Sequence, residues 1–181
     1  MSRVISPDLK IPVLYPPDVI AARVEALAAE IAARLGPDLL AVAVLKGSFM
    51  FAADLLRALH RAGVAVEVDF MMLSSYQGRT TSSGQVTVER DITSGVAGRR
   101  VLLLDDILES GRTLAFAKDL LVARGAQSVD VCVLLDKPGH RVTSVEASFT
   151  GFACPDRFVV GYGMDVAHCF RELPYIGVLE D

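Results

Sequence analysis

Tryptophan is absent from the 181 residues, and aromatic side chains make up only 7% of them. A core without many large rings has to rest on Val, Leu, Ile and Ala. The 52% of apolar residues suffice for one sizeable core, a composition suited to buried parallel strands flanked by helices. A single domain over 1–181 is therefore expected. Cysteine is scarce: Cys132, Cys154 and Cys169 are odd in number, widely spaced and without a Cys-x-x-Cys pair. That argues against a disulfide framework or a zinc site and favours buried structural thiols. His60, His140 and His168 are equally scattered and read as surface or loop residues. No apolar run approaches the ~20 residues of a membrane span, and the first ten residues lack the apolar centre of a signal peptide, so a cytoplasmic protein without a membrane partner is expected. A net charge of −4 provides no broad footprint for nucleic acid. Any phosphate has to be held locally.

Two nucleotide signatures are also missing. There is no Gly-x-x-x-x-Gly-Lys-Ser/Thr loop, and the run Gly161-Tyr162-Gly163 is followed by Val166 where a dinucleotide fold needs its third glycine.

What is present is a regular alternation of elements. Val19, Ile20, Val24, Leu27, Ile31 and Leu35 recur at helical spacing behind Pro17-Asp18 and stop at Gly36-Pro37. An apolar strand over 39–45 runs into Lys46-Gly47-Ser48 and a helix over 49–62, closed by Gly63. Residues 64–76 and 85–89 have strand character around the polar, glycine-bounded stretch 77–84, which is either a long hairpin loop or a lid. A buried strand over 100–108, a helix over 111–123 and a strand over 128–135 form a second unit, with short apolar segments at 158–160 and 175–179. The order predicts an α/β protein: an open, mostly parallel twisted sheet with helices on both faces and an antiparallel hairpin carrying the polar loop.

Ligands in such sheets collect at the carboxyl ends of strands, where this chain places Lys46-Gly47-Ser48, Asp105 to Thr113 and Asp136-Lys137. In the middle cluster two adjacent acids close an apolar strand, and a third precedes a Ser-Gly-Arg-Thr turn that opens a helix. Backbone N–H groups of Ser110, Gly111, Arg112 and Thr113, the helix dipole and the two hydroxyls suit a phosphate. Asp105 and Asp106 suit sugar hydroxyls or Mg²⁺. Together they fit a phosphorylated sugar, although an acid pair at a strand end also serves simply as a cap or an exposed feature.

The run VLLLDDILESGRTL at 101–114 resembles the phosphoribosyl-pyrophosphate signature of type I phosphoribosyltransferases. LKGS at 45–48, SSY at 74–76, Lys137, PDRFVVGYGMD at 155–165 and FREL at 170–173 resemble the hypoxanthine-guanine branch. The resemblance implies the type I fold with a hairpin lid and a small base-binding hood. It implies transfer of the 5-phosphoribosyl group from phosphoribosyl pyrophosphate to N9 of a 6-oxopurine, with Mg²⁺ as cofactor and IMP or GMP and pyrophosphate as products. A homodimer or homotetramer is implied as well. The rival expectation is a regulatory nucleic-acid-binding protein on the same fold, since fold does not fix function.

Carried over residue by residue, the resemblance puts Asp105 and Asp106 at the ribose and Mg²⁺ and the 109–113 turn at the 5′-phosphate. Lys46, Gly47 and Arg171 fall at the pyrophosphate, with Asp165 assisting through the metal. Ser75 and Tyr76 become the root of the lid, and a cis peptide is implied at Leu45-Lys46. Lys137 is implied to donate to purine O6, with Phe158 stacking on the ring and Val159 offering backbone groups. Lys137 has the alternative of pairing with Asp136, and Phe158 and Val159 that of ordinary strand core. Glu109 departs from the family's Asp at the position that handles the N7 proton. It retains the carboxylate and adds a methylene, serving as general acid/base or as a cap of the phosphate turn.

Overall fold

The computed structural model describes residues 11–75 and 86–180. Tyr76 and the 77–84 stretch lie outside these residues. After a short strand β1 (Val13–Tyr15), helix α1 (Pro17–Leu35) begins with proline at its first turn and buries Ile20, Val24, Leu27, Ala28, Ile31 and Leu35. The Gly36 N–H donates to Ala32 O with φ at +82°, a conformation that ends the helix. Strand β2 (Asp38–Leu45), helix α2 (Phe49–Arg61) and strand β3 (Ala65–Ser75) follow, then β4 (Val86–Arg90), β5 (Arg100–Leu108), helix α3 (Arg112–Ala123) and β6 (Ser128–Asp136). The chain closes with β7 (Phe149–Ala153), β8 (Val159–Val160) and β9 (Ile176–Val178).

Six strands form one sheet in the order β4-β3-β2-β5-β6-β7, parallel except for the β3–β4 hairpin. Helices α1 and α2 cover one face over a core that includes Leu27, Ile31, Phe51 and Leu55, and α3 covers the other through Leu114, Ala117 and Leu121. Burial on both faces explains why β2 and β5 read as unbroken apolar runs. The predicted α/β class, with helices on both faces and an antiparallel hairpin, matches this arrangement. Strand order reverses between the neighbours β2 and β5, and at such a switch point the loops beyond the strand ends diverge and leave a crevice.

The second sheet, β1-β9-β8, is antiparallel and joins the two ends of the chain. It is tied to the main sheet by Tyr15, whose ring stacks on Phe152 at 4.2 Å and whose hydroxyl donates to Ala153 O at 2.8 Å. The free edge of β7 is satisfied by Arg23 of α1, which donates to Gly151 O and Thr150 O. Cys132 and Cys154 are buried, as expected, but Cys169 is exposed because it sits in a tight turn outside the core. Among the described residues no helix is long and apolar enough to cross a membrane.

Candidate active site

Three chain segments converge at the switch point. The peptide Leu45-Lys46 is cis. Beyond it Ser48 is buried with its hydroxyl donating to Val44 O, while Lys46 is exposed. Gly47 packs directly on Asp106, so that a Cβ there would lie 1.8 Å from Asp106 Oδ2. The 161–171 turn closes over the same point, since a Cβ on Gly163 would lie 2.1 Å from Gly47 O. Arg171 is held in this turn by donating to Gly163 O at 2.6 Å and pairing with Asp165 at 2.6 Å. Lys46, Gly47, Asp106, Asp165 and Arg171, scattered over 126 positions of sequence, thus gather in one place.

Asp105 and Asp106 lie within β5 rather than at its end. Ile107 and Leu108 continue the ladder opposite Leu135 and Asp136 of β6. Burial pushes the Asp105 carboxyl well above the ordinary range, and the neighbouring Asp106 charge adds to it. Asp106 is raised by the same burial, while hydrogen bonds from Asp105 and the Ile107 amide and the nearby Arg171 charge work in the opposite direction. A carboxylate pair of hard oxygens, Asp105 buried and Asp106 half-buried, suits a divalent cation of the Mg²⁺ type.

The 109–113 turn follows. Gly111 has φ +81° and is enclosed, its absent Cβ lying 2.3 Å from Thr143 Oγ1, so only glycine fits. It is the N-cap of α3, while the Glu109 side chain turns to Lys137. The Arg112 amide has the Ser110 hydroxyl at 3.4 Å, and the other first-turn amides lack partners within the helix, as at any helix start. A cleft of about 180 Å³ opens over Asp105, Glu109, Ser110, Gly111 and Thr113.

Sequence reasoning missed what braces this turn. Arg141 donates from Nε to Glu109 O at 2.9 Å, from Nη1 to Val145 O at 3.0 Å and from Nη2 to Leu108 O at 3.2 Å, and it pairs with Asp136. The Val142 N–H adds a bond to Ser110 O. No local pattern marks Arg141, because all of its partners except Asp136 and Val145 lie more than thirty residues away.

On the other side of Glu109 a second cleft of about 190 Å³ is lined by Asp106, Ile107, Glu109, Lys137, Phe158 and Val159, among others. Lys137 does not pair with Asp136, which Arg141 occupies. Its side chain is 10% exposed, and Nζ lies 2.8 Å from Glu109 Oε1 and 3.2 Å from Asp156 Oδ1. Burial works to lower the Lys137 pKa, but the bonds to the two carboxylates outweigh it, and the net displacement is upward. Glu109, His140 and Asp156 approach one another closely enough for a metal ion, yet the Lys137 ammonium already stands among them. Phe158 is 54% exposed at the cleft rim, which separates it from ordinary strand core, while Val159 is buried in β8. Ser75 ends β3 opposite Val86, and Tyr76 lies outside the described residues.

An acid pair and a glycine turn opening a helix at a sheet switch point, beside a second cleft, suit a class of protein that acts on a phosphorylated sugar. Residues 17–167 match the phosphoribosyl transferase domain family. The hypoxanthine-guanine phosphoribosyltransferase of Bacillus subtilis is 43% identical over 169 residues, covering 93% of this chain and 92% of that protein. A Listeria innocua bifunctional protein TilS/HprT is 44% identical over 93% of this chain, which spans only 26% of that longer protein. Among solved structures, a hypoxanthine phosphoribosyltransferase from Staphylococcus aureus superposes with a TM-score of 0.88 at 40% identity, covering 99% of this chain and 96% of that one. The chain belongs to the phosphoribosyltransferase family, in its hypoxanthine-guanine branch.

Proposed function

We propose that this protein transfers the 5-phosphoribosyl group from phosphoribosyl pyrophosphate to N9 of a 6-oxopurine, hypoxanthine or guanine, giving IMP or GMP and pyrophosphate. The observation that carries the reading is that the phosphate-side and base-side clefts share one wall, Ile107 and Glu109. A sugar seated on Asp105, Asp106 and the 110–113 turn presents C1 to a base lying between Phe158 and Lys137. Lys46, the Gly47 backbone and Arg171 face the departing pyrophosphate from the opposite side. Lys137 donates to O6, Phe158 stacks on the ring, and the Val159 backbone borders its edge. Glu109 is in reach of the N7 proton.

Mg²⁺ fits the Asp105–Asp106 pair, with Asp165 as a further oxygen ligand, and when bound supplies charge neutralisation for the pyrophosphate. The residues themselves contribute position and fixed charge, which supply most of the rate in a transfer without a covalent enzyme intermediate. Ser75 and Tyr76 are assigned to the root of a lid that excludes water. A homodimer or homotetramer fits the apolar surface on one face of β3, where Val68 and Phe70 stay 37% and 39% exposed. The acidic balance of the chain weighs against a nucleic-acid-binding role.

Initial rates over a panel of nucleobases with phosphoribosyl pyrophosphate and Mg²⁺ test this reading. Hypoxanthine or guanine should be consumed in preference to adenine, since an ammonium offers donors to O6 and no acceptor to a 6-amino group. Lys137→Met should lose about 1–3 kcal/mol of transition-state binding to hypoxanthine. Preference for adenine, or no nucleotide from any base, overturns the reading.

A further inference from the structure

Lys137 is held by more than its family role requires. Its ammonium bridges Glu109 Oε1 and Asp156 Oδ1, and the same Oδ1 lies 3.1 Å from His140 Nε2. The four groups come from four places: the β5–α3 turn, the end of β6, the segment entering β8, and the 3-10 turn Pro138–His140. Asp156 and His140 are 65% and 58% exposed and border the cleft from outside, so neither needs to touch a base to affect it.

An ammonium has three N–H donors and no acceptor. With one carboxylate as sole partner, a flexible lysine settles onto it. The ammonium is then free to swing about that single carboxylate, and its remaining N–H groups have no fixed direction. A second carboxylate engages a second N–H, anchors the ammonium at two points and leaves the third N–H for an incoming acceptor. His140, sharing Oδ1, fixes the rotamer of that second carboxylate.

We propose that Asp156, backed by His140, is a positioning residue that shares the Lys137 ammonium with Glu109 and so fixes where it stands at the wall of the base cleft. This rests on the reading of Lys137 as the O6 donor, and it assigns no contact between Asp156 and substrate.

The test is a double-mutant cycle with Asp156→Asn in the parent and in Lys137→Met, following kcat/KM for hypoxanthine, KM for phosphoribosyl pyrophosphate and the thermal midpoint. Asp156→Asn should lower kcat/KM for hypoxanthine roughly fivefold, with the other two quantities unmoved, and add nothing in the Lys137→Met background. Asp156→Glu should restore most of the loss. Should the Asn variant fold poorly, His140→Gln should give a smaller fall that also vanishes without Lys137. Parent-like kcat/KM in Asp156→Asn, or the same fall in both backgrounds, overturns the positioning role. A parent enzyme that makes no nucleotide from hypoxanthine instead removes the functional reading beneath it.

Discussion

Gly47→Ala is a substitution of one methyl group whose effect can be worked from the geometry. The added Cβ falls 1.8 Å from Asp106 Oδ2 and 2.6 Å from Cγ, so the carboxylate has to retreat by about 1.2 Å before the contact reaches even 3.0 Å. The loop has little room to yield instead. Gly163 presses on the Gly47 carbonyl, and Ser48 is buried, bonded to Val44 O through its hydroxyl and to the Ala52 N–H through its carbonyl. Gly47 is not among the residues with positive φ, so alanine carries no backbone penalty of its own. Rotating Asp106 breaks its 2.9 Å bond from the Ile107 N–H, which costs about 0.5–1.5 kcal/mol of stability. With Asp106 as the proposed sugar and metal ligand the chemical cost is larger, because a misplacement of about 1 Å can lose on the order of 10²-fold in rate. Steady-state rates, calorimetric titration of phosphoribosyl pyrophosphate with Mg²⁺, and thermal unfolding together separate the two effects. Gly95→Ala, whose Cβ would meet nothing within 4 Å, is the matched control and should resemble the parent. Parent-like rate and affinity in Gly47→Ala would refute the placement of Asp106 at the reacting sugar.

Glu109→Gln should keep its melting behaviour while single-turnover nucleotide formation falls by about 10²–10⁴, whereas Glu109→Asp should retain substantial activity; a Gln variant at parent rate would assign the proton to water or another group. Changing Asp105 and Asp106 together to Asn should preserve the fold and weaken Mg²⁺-dependent binding of phosphoribosyl pyrophosphate, and unchanged affinity with and without the metal would return the acids to a structural role. Asp69 provides a test of stability away from the site. Burial alone would raise its pKa, but hydrogen bonds from the Ser94, Phe70 and Thr93 amides bring it down to about 2. Its contribution is therefore complete above the ordinary carboxylate pKa and is lost as pH falls from about 4 toward 2, amounting to roughly 1–2 kcal/mol after allowance for solvent screening. Unfolding curves across that range should show a smaller loss in Asp69→Asn than in the parent, since Glu67, Asp91 and Asp156 are also lowered and titrate in both.

Periodicity and punctuation were enough for the elements that bury themselves locally. Helix α1 follows from its apolar spacing between Pro17 and Gly36, and β2, β5 and β6 from apolar runs that only a sheet covered on both faces requires. The 109–113 turn was equally legible, since acid pair, glycine and helix start are contiguous and their chemistry depends on neighbours in sequence. What could not be read are pairings made across the chain. β1 is three residues long and exists because it meets β9 some 160 positions later, and β7 is carried by β6 and by Arg23 of α1. Residue type alone made Lys137 a cation at a strand end, but that it does not pair with Asp136 was decided by Arg141, which occupies that carboxylate and leaves Lys137 to Glu109 and Asp156. The acids were expected at the end of β5 and lie inside it, because β6 extends far enough to pair Ile107 and Leu108. Local sequence thus determined which chemistry the chain carries. Tertiary packing decided which groups stand within reach of one another, because contact across the switch point depends on strand order and loop closure, neither of which has a period along the chain.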